Sequence, residues 1–194
     1  GTLVWLNAGS RITYSQGFGV GNRKIELIGE GYFEVKRNEE VPFLVKTNSL
    51  LVKVLGTKFN FRDYPDDAEA IVSLSEGKVA LNNLLKKEKE AFLLPNERVV
   101  LNKKNGRMHV EYSTVSNALQ WTNGYLFFDE ELLPDVVKEL ERSYNVKIQI
   151  ASDTLNTFRF YGNFVHREQN IQEVLEALSA TRKIHYIIEG HNIT

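Results

Sequence analysis

Four histidines, His109, His166, His185 and His191, and an acidic knot at Asp66, Asp67 and Glu69 are the residues whose types could hold a metal or move a proton. A zinc-type site needs imidazoles spaced to converge on one ion, such as a pair four apart on a helix. No pair has that spacing and no HExxH occurs, so we read the histidines as strand or surface residues. Two carboxylates can cleave a glycoside when one is kept neutral by burial against an aromatic, and nothing here marks one in that way. The separation that decides is spatial and is not written in the sequence, so we expect Asp66, Asp67 and Glu69 to form a solvated turn. No serine stands in a GxSxG elbow, and no cysteine is present, which removes thiolate ligands, cysteine nucleophiles and disulfides together. Gly17-Phe18-Gly19-Val20-Gly21 is followed by neither Lys-Ser/Thr nor a helix start, so it reads as a hairpin tip and not a phosphate cradle. We therefore expect no catalytic, cofactor-binding or metal-binding residues, no cofactor, and no enzyme activity.

The elements that would position any site are mostly strands. Lys24 to Lys36, KIELIGEGYFEVK, alternates Ile25, Leu27, Gly29, Gly31, Phe33 and Val35 against Glu26, Glu30, Glu34 and Lys36. This predicts a half-buried strand with Glu30 on its outward, wet face. The two inward glycines predict backbone or a large aromatic lying close against them. Leu50 to Arg62 reads as a second long strand, with a bulge at Gly56 where the apolar parity changes. Further short extended segments run from Leu3 to Tyr112, separated by turn residues at Asn7–Gly9, Asn38–Glu40, Pro65–Asp67, Glu76-Gly77 and Lys103–Gly106. Together they predict an all-β N-terminal domain, a twisted sandwich, barrel or short β-solenoid.

After Tyr112 the period changes, and we divide the chain into domains at 1–114 and 115–194, with a boundary turn at Trp121–Gly124. A strand at Tyr125–Phe128 leads to a helix from about Pro134 to Tyr144, then a strand at Val146–Ala151. Phe158–Val165, a helix at Ile171–Arg182 opened by an Asn170/Glu173 capping box, and Ile184–Glu189 repeat that order. Leu133, Val136, Val137, Leu140, Val146, Ile148 and Ile150 match Ile171, Val174, Leu175, Leu178, Ile184, Tyr186 and Ile188, each pair about 38 positions apart. The expected second domain is a small α+β unit of two β-α-β repeats, one sheet with two helices on one face.

The chain has 194 residues, 42% of them hydrophobic, and a formal net charge of -1 with both signs interspersed. It can bury a sizeable core, and its overall balance offers no footprint for nucleic acid or for an anionic membrane surface. No apolar run is long enough to cross a bilayer and no signal peptide is evident. Because it begins at Gly1 without an initiator methionine, we expect it to be an excised or processed part of a longer protein.

Thr2-Leu3-Val4-Trp5-Leu6-Asn7-Ala8-Gly9-Ser10, Leu27-Ile28-Gly29-Glu30-Gly31-Tyr32-Phe33-Glu34-Val35, and Pro42-Phe43 with Val45-Lys46-Thr47 resemble the text of FecR-family anti-sigma regulators. Val54-Leu55-Gly56-Thr57 with Phe59-Asn60, and Glu76-Gly77-Lys78-Val79, continue the resemblance in order. From Trp121 with Asn123-Gly124, through Leu140-Glu141 and Tyr144, the chain is similar to the small domain that follows in many members. That domain resembles the short N-terminal domain of secretins and TonB-dependent receptors. The resemblance implies cell-surface signalling: a single-pass inner-membrane protein whose periplasmic part senses the N-terminal signalling domain of a TonB-dependent outer-membrane transporter. It implies contact with an extracytoplasmic-function sigma factor through a cytoplasmic segment absent from this chain, and membrane attachment only through a missing transmembrane helix. This chain would be the periplasmic portion.

For partner contact the sequence offers two places. Phe158, Phe160, Gly162 and Phe164 share one parity and should face the helices, leaving Arg159, Tyr161 and Asn163 on the free side of a sheet whose edges are potentially open. Glu30 is the other candidate, with a strand's wet side as the plainer alternative. Trp5 and Trp121 are expected in core or interdomain packing. The competing function is a secreted β-rich glycan-binding or glycan-hydrolysing protein, which would show an aromatic-lined cleft.

Overall fold

A computed structural model describes residues 1–113, 115–190 and 192–194, divided into two compact units, Gly1–Leu119 and Gln120–Thr194. The expected division at 114/115 falls beside Thr114, and both it and His191 lie outside the described residues.

The first unit is built from β1 (Leu3–Leu6), β2 (Arg11–Tyr14), β3 (Arg23–Glu34), β4 (Phe43–Lys46), β5 (Leu50–Val54) and β6 (Lys58–Asp63). It continues with β7 (Glu69–Glu76), β8 (Val79–Asn83), β9 (Ala91–Leu93), β10 (Glu97–Asn102), β11 (Arg107–Tyr112) and a short helix, α1 (Val115–Ala118). All eleven strands join in one sheet, ordered β11-β10-β7-β6-β3-β4-β5-β8-β9, with β1 and β2 both pairing with β3. The sheet curls until β9 comes alongside β10, so it is nearly closed around one core. Phe33 stacks on Phe59 there with ring centroids 5.0 Å apart. Phe43, Phe61, Leu27, Leu74, Leu81 and Leu101 are also fully buried, each contributing about 2 kcal/mol by leaving water.

β3 organises the curl because its two halves have different neighbours. Ile25 to Ile28 pair with β2 and Arg23 to Glu26 with β4, whereas Gly31 to Glu34 pair with β1 and Gly29 to Glu34 with β6. The change falls at Gly29, whose φ of 99° lies in the region that only glycine enters freely. A Cβ there would stand 2.4 Å from Ser10 Oγ. The close neighbour expected at Gly29 is therefore Ser10, and at Gly31 it is the ring of Phe33, 2.9 Å from where a Cβ would be.

Leu50 to Arg62 is not one bulged strand. It is two strands with no common partner, β5 beside β4 and β8, β6 beside β3 and β7. The parity changes because each half meets the core from a different part of the curl. Gly56 lies at the crossing, where a Cβ would sit 2.7 Å from Arg37 Cα. The register shift in this region is between β6 and β7, at Lys58/Phe59.

The second unit runs β12 (Tyr125–Leu132), α2 (Leu133–Tyr144), β13 (Lys147–Ile148), β14 (Arg159–Val165), α3 (Ile171–Ala180), β15 (Ile188–Glu189) and β16 (Asn192–Ile193). Pro134 sits in the first turn of α2, and α3 opens on a complete Asn170/Glu173 capping box. Val136, Val137 and Leu140 of α2 and Val174, Leu175 and Leu178 of α3 are buried against Phe128, Phe160 and Phe164. The strands do not form the single expected sheet: β12 pairs with β14, and β13, β16 and β15 make a separate three-stranded piece. Two expected strands shrink to two residues each. Ile148 N–H, for example, donates to Glu141 Oε1 at 2.9 Å, spending on a helix side chain a group that a longer ladder would use.

Candidate functional site

The carboxylate of Glu30 is the centre of a polar corner in the first unit. The parity of β3 does place it on the outer face, but it is 4% exposed, so the expected wet side is corrected. Asn60 Nδ2 donates to Oε1 at 2.7 Å, Asn7 Nδ2 donates to Oε2 at 2.9 Å, and Arg62 Nη1 lies 3.9 Å from Oε2. The turn between β1 and β2 wraps this bend of β3. Asn7 N–H donates to Glu30 C=O at 3.0 Å, and Glu30 N–H donates to Ser10 Oγ at 2.8 Å. Tyr64 Oη donates to Ala8 C=O at 2.7 Å and lies 3.2 Å from Ser10 Oγ.

Asp67 belongs to the same cluster and is buried, with Oδ2 accepting from Arg62 Nε at 2.8 Å. Asp66 and Glu69 remain exposed, so the expected solvated turn holds for two of the three acids. Asp63 pairs with Lys103 Nζ at 2.8 Å. Glu30, Asp67 and Asp63 are each held by an internal cation or amide, an arrangement suited to fixing the bend and not to offering a free charge to a partner. Sequence periodicity could not reveal this, since it tells which way a side chain points and not what covers it. The available signal was that Asn7–Ser10, Gly29–Gly31 and Asn60, all in the blocks carrying the family resemblance, meet here.

The second candidate lies on β14. Along it Phe160 and Phe164 are buried while Arg159, Tyr161 and Asn163 are exposed, Tyr161 at 62%. The cause is packing: Phe164 meets Phe128 at 6.0 Å beneath the ribbon, so the other parity is left outside. The three candidate residues are thus brought onto one face. Opposite Tyr161 the β12–β14 register shifts between Phe128 and Glu131, and Glu130 takes a φ of 54°. That bulge turns Glu130 towards its neighbours. Its C=O accepts from Arg159 Nη1 at 2.5 Å and its carboxylate accepts from Tyr161 Oη. The bond to Glu130 is the main reason the Tyr161 phenol is held above its ordinary value of 10.0. Nothing in the sequence marks Glu130, because a bulge in this strand carries no glycine signal. Among the described residues β12 and β14 pair only with each other, so each has an outer edge without a strand.

The histidines among the described residues do not converge. His109 is exposed with Glu111 Oε2 at 3.6 Å, His166 packs on Tyr144 at 4.7 Å and reaches Ser143 C=O at 2.8 Å, and His185 is exposed. Among the described residues no three of His, Cys, Asp and Glu group to hold a metal ion. Phe18 of the glycine run packs edge-on against Phe43 at 6.2 Å, and Gly19 N–H donates to Asn22 C=O at 2.7 Å, closing a turn. Trp5 is not in the core: it is 38% exposed and lies on Tyr32 at 5.4 Å.

Comparison with known proteins gives matches over most of the chain. The model of the family described as FecR protein matches residues 1–80, and that described as FecR, C-terminal, matches residues 125–194. Two crystal structures of a candidate anti-sigma factor from Parabacteroides distasonis ATCC 8503 superpose with TM-scores of 0.89 and 0.88. Each is 33% identical, covering 100% of this chain and 89% or 88% of that one. No curated protein gives a significant match.

Proposed function

Because this chain belongs to the FecR family of anti-sigma regulators, we propose that it is the periplasmic sensor portion of a regulator that binds the N-terminal signalling domain of a TonB-dependent outer-membrane transporter. The family is a regulatory one and not an enzyme class, and its members are membrane-anchored. No helix among the described residues is long and apolar enough to cross a membrane. In this proposal the message passes to an extracytoplasmic-function sigma factor through a segment outside this chain.

The observation that carries the proposal is the β12–β14 ribbon, with Arg159, Tyr161 and Asn163 outward and, among the described residues, no third strand beside it. Such a surface recognises protein by adding a strand at the edge and seating side chains on the face. Its polarity suits a transient contact, and an exposed tyrosine beside an arginine is a composition common at binding hot spots. Glu30 has no place in this contact, because its carboxylate is engaged inside the first unit. The test is binding of the purified chain to the signalling domain of the transporter encoded beside it. Tyr161→Glu, which sets a second carboxylate against Glu130, should weaken binding at an unchanged melting temperature; equal loss of both would make Tyr161 part of the fold only.

A further inference from the structure

Leu84 and Leu85 stand together in the loop between β8 and β9, each 43% exposed, and the exposed Lys86, Lys87 and Lys89 follow them. The loop is held in place. Asn83 Oδ1 accepts the N–H of Leu85 at 2.9 Å and of Lys86 at 3.1 Å, while Nδ2 donates to Gly106 C=O at 3.0 Å and to Glu88 Oε2 at 3.1 Å. Leu84 N–H donates to Ser49 C=O at 2.9 Å. The stem of Lys86 lies so close to Gly106 that a Cβ there would be 3.0 Å from its Cγ. The loop is thereby joined to the β10–β11 turn, which adds the exposed Lys104 and Arg107. Lys103 of that turn is already paired with Asp63. The two loops themselves carry two acids, Glu88 and Glu90, against these five cations, and the exposed Glu69 lies two strands from Arg107 through Asn102, in a chain whose net charge is -1.

We infer that this loop pair is a docking surface for an anionic phospholipid bilayer, with Leu84 and Leu85 entering the headgroup boundary and Lys86, Lys87, Lys89, Lys104 and Arg107 meeting lipid phosphates. Charge complementarity selects the partner. A local excess of cations around two adjacent leucines fits a surface that is negative above and apolar below. Lysine stems can lie along the apolar layer while their heads stay at the phosphates. Nucleic acid would share the charge but gives the leucines nothing to enter, and the loops carry no aromatic on which a base could stack. The chain-wide charge conceals the patch because acidic residues elsewhere cancel it. The inference does not depend on the transporter contact proposed above.

The test is co-sedimentation of the purified chain with vesicles of phosphatidylcholine, with and without phosphatidylglycerol, over a range of salt. The chain should bind the phosphatidylglycerol vesicles, bind pure phosphatidylcholine far less, and be released by salt. Lys87→Glu with Lys89→Glu should weaken binding roughly tenfold or more, and Leu84→Ser with Leu85→Ser several-fold, both at unchanged melting temperature. Tyr161→Glu should bind as the parent does. Absence of binding at low salt, equal binding to both vesicles, or full retention of binding in the loop variants would overturn the inference.

Discussion

Asn7 Nδ2 donates to Glu30 Oε2 at 2.9 Å, fastening the turn after β1 to the bend of β3. Since Asn60 holds the other oxygen, one carboxylate ties three segments that are distant in sequence. Glu30→Ala should lower stability by about 3 kcal/mol, because it strands buried donors and an arginine beside them. Glu30→Gln, which keeps the shape and one acceptor, should cost less. Urea unfolding of the two variants checks the order; equal stability in both and in the parent would mean that the carboxylate is dispensable.

The bend itself rests on Gly29. Gly29→Ala combines a left-handed φ with a Cβ driven into Ser10, and should cost about 2 kcal/mol or more. Pairing it with Ser10→Gly should recover only the steric part, leaving the backbone cost. Complete recovery in the double variant would show that φ contributes nothing.

Tyr161 offers a pH signature of the ribbon. Its phenol is raised above 10.0 chiefly by donating to Glu130, so the bond is intact below that pH and is lost as pH climbs through the higher folded value. In Glu130→Gln the ring signal of Tyr161, followed by NMR, should titrate nearer 10.0. An unmoved titration would mean that the bulge does not bring the two together in solution.

How much of this could be read from sequence depended on whether the cause was local. The Asn170/Glu173 box and the alternation of Phe160, Tyr161 and Phe164 are set by neighbours a few residues away, and the structure places them as the sequence predicts. The break at Gly56 shows in the sequence as a parity change, but a bulge and a chain leaving one part of a curled sheet for another produce the same pattern, and the structure has the second. The burial of Glu30 depends on Asn7, Asn60 and Arg62, which pairing alone brings to it. The splitting of the second unit into two small sheets is likewise decided by pairing, which periodicity does not encode.

Glu111 predicts an acid effect. Arg98 Nε lies 2.6 Å from its Oε1, and that hydrogen bond is the main cause holding the carboxyl below its ordinary 4.5. The stabilisation is therefore present above pH 4.5 and fades as pH falls through the lowered folded value. Both groups are substantially exposed, so Arg98→Met should change stability little at neutral pH and flatten its fall with acid. Parallel acid limbs in the variant and parent would remove this pair from the account.

The measurement closest to the central claim is calorimetric titration of the chain with the signalling domain of its neighbouring transporter, for the parent and Tyr161→Glu. Saturable binding by the parent, weakened about tenfold or more in the variant at the same melting temperature, is the predicted result. No binding by the parent, or equal affinity in both, would contradict recognition through the outer face of β14.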